Sequence, residues 1–262
     1  MMVYDIPSTQ LDAYCGKPVI VRTGNPGALL PMFQEEDLEQ LVCICIEDLT
    51  CDVRPLARWK FSGPIDLILE HPDADFPNLY RFSPLVESHP IRACIAVTPG
   101  FGKAVHVAAA LHFAVKLEVG QPDDALIEEL LDVLNVYLHS PGVTEPVEFF
   151  HSLLLSYCHK ESVTLWAVQE EDPTQLRHVT DAGVETLPGR LAACDTNRPD
   201  LAVQAECRDC PYREPCAGYF KWPDPDYGCA GIKRVFTNIK EAAEALAADL
   251  DKFDNAQKGP TS

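Results

Sequence analysis

The fold class is decided by the stretch Ile91–Val119, which reads IRACIAVTPGFGKAVHVAAALHFAVKLEV. Two short runs rich in β-branched residues, 91–97 and 114–119, flank a helical pattern over 102–112. Two parallel strands need a crossover of a dozen or so residues between them, and that crossover is usually a helix. The stretch therefore predicts a strand, a crossover helix and a second strand parallel to the first.

The same alternation extends over most of the chain. Further strands are predicted at 18–22, 41–46, 65–69 and 163–168, with helices over 76–88, 123–139 and 145–159. Near-continuous apolar strands that alternate with helices are typical of a parallel sheet covered on both faces. Five or six such steps are too few for a closed eight-stranded barrel. We therefore expect an α/β fold, either an incomplete βα barrel or an open parallel sheet.

Composition and charge narrow the classes of function. Hydrophobic residues make up 47% and charged residues 23% of the 262, which excludes a largely disordered chain. The net charge of −19 argues against nucleic-acid and membrane-surface binding and favours a cationic protein or peptide partner. No apolar run reaches about 18 residues, and the N-terminus lacks the order of a signal peptide. We expect a cytoplasmic protein.

Polar residues cluster where the predicted strands end, and ligands of such sheets bind at those ends. We call this set the acidic mouth; it consists of Glu47, Asp48, Glu70, His71, Asp73, Thr98, Glu118, Gln169, Glu170 and Glu171. Glu70 with His71 is the candidate catalytic acid/base pair. The alternative is ordinary loop polarity. Thr98-Pro-Gly-Phe-Gly-Lys103 opens a helix but has the spacing of neither a P-loop nor a dinucleotide fingerprint.

Five of the eleven cysteines fall within residues 194–229. Two residues separate Cys207 from Cys210 in the pattern Cys-x2-Cys, five separate Cys210 from Cys216, and twelve separate Cys216 from Cys229. A Cys-x2-Cys turn presents two thiolates to one metal, and two further cysteines complete four-fold ligation. Four thiolates suit either one zinc ion or one 4Fe–4S cluster. The remaining alternative is four free structural thiols.

The segment of about 189–250 resembles the SPASM domain that follows the barrel of peptide- and protein-modifying radical SAM enzymes. The family pattern runs Cys, a gap, Gly-x4-Cys, a long gap, Cys-x2-Cys-x5-Cys-x3-Cys, and a last Cys. The matching residues are Gly189 and Cys194 for the Gly-x4-Cys element, then Cys207, Cys210 and Cys216, and finally Cys229.

The chain departs from the SPASM pattern at two positions. No cysteine precedes Gly189 at the family distance, and Phe220 stands where the family has a cysteine after the x3 spacer. In the family those two positions help hold the first auxiliary cluster. The resemblance therefore implies that the first cluster is lost, that Cys194 is a remnant, and that the second is retained. Its ligands would be Cys207, Cys210, Cys216 and Cys229.

The radical SAM family also carries Cys-x3-Cys-x2-Cys in the first loop of its barrel, where the cluster that cleaves S-adenosylmethionine binds. This sequence has Cys43-x-Cys45-x5-Cys51 instead, and Cys43 and Cys45 alternate within a predicted strand. The spacing predicts no radical-generating cluster and no S-adenosylmethionine binding. The resemblance thus divides the chain into a partial barrel without its cluster motif (1–185), a SPASM-like domain with a C-terminal helix (186–250) and a flexible tail (251–262).

These observations lead to one main functional hypothesis and two alternatives. The main hypothesis is an accessory subunit of a peptide- or protein-maturation system, in a hetero-oligomer with the substrate peptide or the modifying enzyme, and carrying one 4Fe–4S cluster. The first alternative is a metal-dependent enzyme that uses the strand-end carboxylates with His71. The second is a structural or interaction protein in which zinc clips the four cysteines together.

Overall fold

The computed structural model describes residues 1–33, 38–59, 62–193 and 205–257. Its sheet has nine strands in the described residues, in the spatial order β7-β6-β5-β4-β3-β2-β1-β8-β9. Every pairing is parallel except that of β8 with β9. The strands are β1 (Val3–Pro7), β2 (Val19–Thr23), β3 (Leu41–Ile46), β4 (Ile65–Leu69), β5 (Ile91–Ala96), β6 (Ala114–Glu118), β7 (Val147–Glu148), β8 (Leu176–Val179) and β9 (Glu185–Thr186). The expected α/β class with an open, mostly parallel sheet is confirmed.

Helices connect most of the strands and form the C-terminal part of the chain. They are α1 (Pro26–Leu29), α2 (Pro72–Asp75), α3 (Phe101–Ala110), α4 (Asp124–His139), α5 (Phe150–His159), α6 (Leu165–Val168), α7 (Ala205–Arg208), α8 (Arg213–Cys216) and α9 (Ala230–Gln257). 3-10 helices include Ser8–Tyr14, the ten-residue Phe76–Leu85 and Tyr219–Lys221.

The two faces of the sheet differ in chemistry. Strands β1 to β7 follow chain order across the sheet, so right-handed crossovers place the connecting helices on one face. On that face, side chains such as Val21, Ile44 and Leu67 are completely buried. The opposite face, which we call the polar face, carries charged, polar and thiol side chains in the alternate positions of the strands. They are Asp5, Arg22, Cys43, Cys45, Asp66, Arg92, Cys94, Lys116 and His178.

The unit β5-α3-β6 is the predicted one, with bounds within one or two residues. Gly100 precedes α3 with φ of 88°, a left-handed conformation that glycine adopts without strain. A Cβ atom there would lie 3.0 Å from the side chain of Asp73. Next along the chain, the Gly102 N–H donates a hydrogen bond of 2.8 Å to Glu129 on α4, which fixes α3 against its neighbour.

Three predictions of secondary structure were wrong. The apolar run 163–168 is not a strand, because the Thr164 side chain caps helix α6 by accepting from the Ala167 N–H. Residues 145–159 hold strand β7 before α5. The helix expected over 76–88 is a 3-10 helix ending at Leu85, with Pro84 inside it where an α-helical hydrogen bond would need an N–H.

The C-terminal helix α9 packs on α4 and α5 and so ties the cysteine-rich segment to the sheet. Phe220, Ile232 and Phe236 are buried in the same core cluster as the sheet side chains. The helix continues to Gln257, so most of the tail expected at 251–262 is helical, and 258–262 lie outside the described residues. None of the helices in the described ranges is both long enough and apolar enough to cross a membrane.

Candidate metal centre and strand-end residues

The four cysteines with the strongest sequence signal line one pocket. Cys207 lies in α7, Cys216 is the last residue of α8, and Cys229 directly precedes α9. A turn hydrogen bond of 3.4 Å from the Cys210 N–H to the Cys207 carbonyl brings the first pair round to the same side. The pocket is lined by Glu206, Cys207, Cys210, Tyr212, Arg213, Cys216, Gly218, Lys221, Cys229, Ile232, Lys233 and Phe236. The four cysteines that the sequence spacing groups together thus lie around one pocket.

Aromatic packing holds the pocket walls in place. The ring of Tyr212 stacks on Phe236 of α9 with centroids 5.0 Å apart, and its hydroxyl lies 2.7 Å from Thr237 Oγ1. On the sheet side, the Trp166 indole donates a hydrogen bond of 3.0 Å to the carbonyl of Ala217. Ala217 and Gly218 both adopt left-handed conformations, which turn the chain back over Cys216. Helices α6 and α9 therefore clamp the turn that bears this cysteine.

Two of the thiols at this pocket, those of Cys216 and Cys229, have raised pKa values. Burial raises the pKa of Cys229 to about 11, against the opposing effect of the Lys221 ammonium. Burial also raises the pKa of Cys216, although backbone N–H groups of Phe220 and Gly218 donate to its sulfur. Such N–H donors stabilise a thiolate once it is formed. A metal that binds these two sulfurs as thiolates has to displace their protons.

Cationic groups surround the pocket. The ammonium of Lys221, which is 5% exposed, lies 2.6 Å from Glu206, and that of Lys233 lies 2.8 Å from the same carboxylate. These two hydrogen bonds lower the pKa of Glu206 to about 2. The first turn of the 28-residue helix α9 also begins next to Cys229, where the helix dipole is positive. The site therefore suits a ligand with net negative charge.

The separation of the sulfurs tests which metal group fits. Sulfurs bound to one tetrahedral zinc lie about 3.8 Å apart, because Zn–S bonds are about 2.3 Å long. Among the residues that the structure describes, no three of these sulfurs lie within 4.8 Å of one another. They surround a cavity of about 20 Å³, which has room for about one water-sized sphere. A 4Fe–4S cluster is larger than this cavity and holds its cysteines farther apart than a single ion does, so the four side chains would have to turn outward to hold one.

The structure describes Phe220, one of two further residues of this segment that the SPASM resemblance singled out, but not Cys194. Phe220, which replaces a family cysteine, is completely buried in the core and packs edge-on against Phe149 and Phe236. Its position is therefore used for packing and offers no ligand. Cys194, the expected remnant, lies outside the described residues.

The candidate pair Glu70 and His71 lies at the end of β4, and both residues are exposed. His71 is the N-cap residue of α2, and its backbone N–H donates to the Asp75 carboxylate. In the described ranges, neither residue belongs to a group of three or more ligand side chains. The structure thus gives this pair a position at the mouth of the sheet but no converging partners.

Most acids of the acidic mouth are engaged in internal ion pairs or hydrogen bonds. Glu47 pairs with Arg22 at 3.4 Å, Asp73 with Lys103 at 3.3 Å, and Asp48 accepts from Thr50. Gln169 is buried and bonds to the backbone of Leu117 and Val119 at the end of β6. Glu171 is only 14% exposed beside Arg190. The mouth is accordingly much less anionic than its composition indicates.

Glu170 makes the strongest of these ion pairs. Its carboxylate lies 2.7 Å from Lys116 Nζ and 2.7 Å from Arg92 Nη1. Burial alone raises its pKa, but the two cations outweigh burial and hold the pKa at about 2. Arg92 in turn grips both oxygens of Asp66, at 2.9 Å through Nε and 2.5 Å through Nη2. Glu170 thus connects the loop after α6 to the polar face.

At the other side of the sheet, Asp5, Arg22 and His178 form a second polar group. His178 Nδ1 lies 2.9 Å from Asp5, and the guanidinium of Arg22 contacts both Asp5 at 2.9 Å and His178 Nε2 at 3.5 Å. Because Arg22 faces the second ring nitrogen, the histidine has partners on both sides. This arrangement orients the three side chains and leaves the imidazole without an open nitrogen for proton transfer.

Sequence reasoning missed a third group, at the centre of the polar face. Cys43, Cys45 and Asp66 are all buried, and their sulfur and oxygen atoms lie within 4.8 Å of one another. The Cys43 thiol donates a hydrogen bond of 3.6 Å to the carbonyl of Ile44. The neighbouring Cys43 thiol and burial raise the pKa of Cys45 well above its usual value. The sequence held a signal for this group, because each of three consecutive apolar strands contains a polar, thiol or charged residue: Cys45, Asp66 and Arg92.

Comparisons with protein-family models, with curated proteins and with solved structures found no match for this chain.

Proposed function

We propose that the chain carries one 4Fe–4S cluster on Cys207, Cys210, Cys216 and Cys229, and that it serves as an accessory subunit in peptide or protein modification. The observation that carries the proposal is the convergence of these four cysteines on one pocket with cationic side chains in its lining. A SPASM-like identity of this segment belongs to the same proposal, since it rests on the cysteine spacing.

The charges around the pocket support a cluster. A 4Fe–4S centre with four thiolate ligands is an anion, and burying an anion is costly unless cations or dipoles compensate it. Lys221, Lys233 and the first turn of α9 supply that compensation. The N–H groups that donate to Cys216 add hydrogen bonds to a ligand sulfur, one of the factors that set a cluster's reduction potential.

Four protein ligands leave the cluster without an open iron, and this favours an accessory role over radical chemistry. S-adenosylmethionine needs a vacant iron, which a cluster with four cysteine ligands lacks. Cys43 and Cys45 lie inside β3 on the polar face, so they do not form the loop that holds a radical-generating cluster. A fully ligated cluster can transfer an electron to a partner enzyme or stabilise a docking surface.

The partner is expected to be cationic. The net charge of −19 attracts a basic peptide or a basic surface of the modifying enzyme, and it disfavours nucleic acid and anionic membranes. Because internal ion pairs engage much of the acidic mouth, the attraction comes from the surface as a whole. We propose a hetero-oligomer in the cytoplasm.

The two alternatives have less support. A zinc clip on the same four cysteines would need their side chains to turn inward, and it would leave the cationic lining of the pocket without an anionic cluster to compensate. A metal enzyme built on Glu70 and His71 would need these exposed side chains to converge with further ligands. The zinc clip predicts a colourless protein, whereas a 4Fe–4S cluster is brown.

The test is anaerobic reconstitution with iron and sulfide, followed by iron and sulfide analysis and EPR after reduction with dithionite. We expect about four irons and four sulfides per chain and the EPR signal of a reduced 4Fe–4S cluster. Cys210→Ala should lose the signal. Cys158→Ser is the matched control, because this half-buried thiol on α5 bonds to the Ala243 carbonyl and lies outside the pocket.

The accessory role is tested on the same reconstituted protein. With S-adenosylmethionine and dithionite, it should form no 5′-deoxyadenosine above the blank without protein. Turnover would refute the accessory role. Equal iron content in Cys210→Ala and the parent, or one tightly bound zinc in place of iron, would refute the cluster.

A further inference from the structure

We propose that Cys43, Cys45 and Asp66 form a zinc site at the centre of the polar face, separate from the four cysteines of the C-terminal segment. Cys43 and Cys45 alternate along β3, so both thiols lie on the same face of the sheet. Asp66 of β4 is the register partner of Cys45, and this places its carboxylate beside the sulfurs. All three side chains are at least nine-tenths buried.

The distances suit a single ion. Sulfurs bound to one tetrahedral zinc lie about 3.8 Å apart, because Zn–S bonds are about 2.3 Å long. The sulfur and oxygen atoms of this group lie within 4.8 Å of one another, so small side-chain rotations close the site. No other group of three such ligands converges within the part of the chain that the structure describes.

The donor set selects the metal. Thiolates are the ligands of zinc, of monovalent copper and of iron–sulfur clusters, whereas a carboxylate is a hard ligand that monovalent copper does not favour. Two thiolates with one carboxylate therefore favour Zn²⁺, which accepts both sulfur and oxygen at tetrahedral sites. Calcium and magnesium, which take oxygen ligands, are excluded by the two sulfurs.

Charge and orientation also fit. When zinc replaces the two thiol protons, which go to the solvent, the ion with two thiolates and one carboxylate has a net charge of −1. The guanidinium of Arg92, bound to both oxygens of Asp66, brings the total to zero. Arg92 thus orients the Asp66 carboxylate, as hydrogen-bonding residues around a metal site commonly orient its ligands. Each carboxylate oxygen keeps a lone pair that can bind the ion.

Three protein ligands leave the fourth position of a tetrahedral zinc to a small exogenous molecule such as water. Sites with an open position are typical of zinc that acts on a substrate, whereas structural zinc has four protein ligands. Cys94 on β5 shares the polar face and is 2% exposed, but it does not belong to the group of three. It therefore provides a matched control, as a buried thiol beside the site and not in it.

The experiment uses the iron-loaded full chain, so that the C-terminal cysteines are occupied by the cluster. One equivalent of Zn²⁺ is added, the protein is dialysed, and zinc and iron are measured together with X-ray absorption at the zinc edge. We expect about one zinc per chain, with two sulfurs at about 2.3 Å and oxygen ligands at about 2.0–2.2 Å. Cys43→Ser and Cys45→Ser should each weaken zinc binding at least about tenfold, and Cys94→Ser should not.

The result is decided on the parent chain, even if a variant fails to fold. No retained zinc, or a zinc bound to four sulfurs, would overturn the proposal, and so would equal affinity in folded Cys43→Ser and in the parent. The proposed cluster is judged from the iron in the same sample. If iron is absent while zinc is bound by two sulfurs and oxygen, the cluster fails and the zinc site stands.

Discussion

Replacing Glu170 by Gln tests whether the ion pairs of the polar face stabilise the fold. The substitution keeps the size of the side chain and removes its charge. Lys116, whose side chain is 9% exposed, then loses the carboxylate 2.7 Å away, while Arg92 keeps Asp66. A buried ammonium without a partner is the main cost.

The expected loss of unfolding free energy follows from the pKa of Glu170 and from the exposure of its side chain. The pKa of Glu170 falls from 4.5 to about 2, which at about 1.4 kcal/mol per unit corresponds to roughly 3 kcal/mol at neutral pH. Because 41% of the Glu170 side chain is exposed, solvent screening reduces this figure to about half. Adding part of the cost of the unpaired Lys116, we expect Glu170→Gln to lower the free energy of unfolding by about 2 kcal/mol.

The pH dependence has a definite sign. The pKa of Glu170 is lower in the folded than in the unfolded chain, so its contribution is complete above about pH 4.5 and is lost as the pH falls toward 2. The difference in stability between the parent and Glu170→Gln should therefore be largest at pH 6 and shrink by pH 3.

Urea unfolding followed by far-UV circular dichroism measures both effects. With an m-value of about 3 kcal/mol/M, a loss of about 2 kcal/mol lowers the midpoint by about 0.7 M. Glu128→Gln is the matched control, because its pair with Arg234 has the same 2.7 Å distance but is more than half exposed on both sides. It should cost less than about 0.5 kcal/mol. Equal shifts for the two variants, or a Glu170→Gln difference that is the same at pH 3 and pH 6, would refute the reasoning.

Three further predictions concern the C-terminal segment. Cys210→Ala should make residues 205–229 sensitive to protease, while the sheet stays protected because α9 is anchored on α4 and α5. Limited proteolysis with mass spectrometry locates the cleavage sites. Unchanged protection of residues 205–229 would contradict the prediction. Cys194→Ser should leave the iron content unchanged, and a loss of about half the iron would reveal a second cluster. Lys221→Met should lower the reduction potential of the cluster by about 60 mV, a tenfold change in a one-electron equilibrium, because it removes a buried cation next to the anionic cluster. A redox titration followed by EPR measures the potential. An unchanged potential would show that the charge of Lys221 does not act on the cluster.

The sequence by itself determined the α/β class and the middle of the sheet. The runs at 41–46, 65–69 and 91–96 are strands because they are short, apolar and rich in β-branched residues. The spacing of Cys207, Cys210, Cys216 and Cys229 also predicted their convergence, because a Cys-x2-Cys turn is local. Each strand signal lies within five or six consecutive residues, and the cysteine signal lies within the single segment 207–229.

Only the tertiary structure decided the edges of the sheet and the contents of its polar face. Strand β7 has two residues and exists because β6 pairs with it, while β1 and β8 pair with each other across more than 170 residues of chain. The register of β3 against β4 sets Cys45 beside Asp66, and that of β4 against β5 sets Asp66 beside Arg92. A shift of one residue in either register would turn these side chains to opposite faces. Register depends on the packing of all the strands together, so no local pattern in the sequence specifies which polar side chains meet.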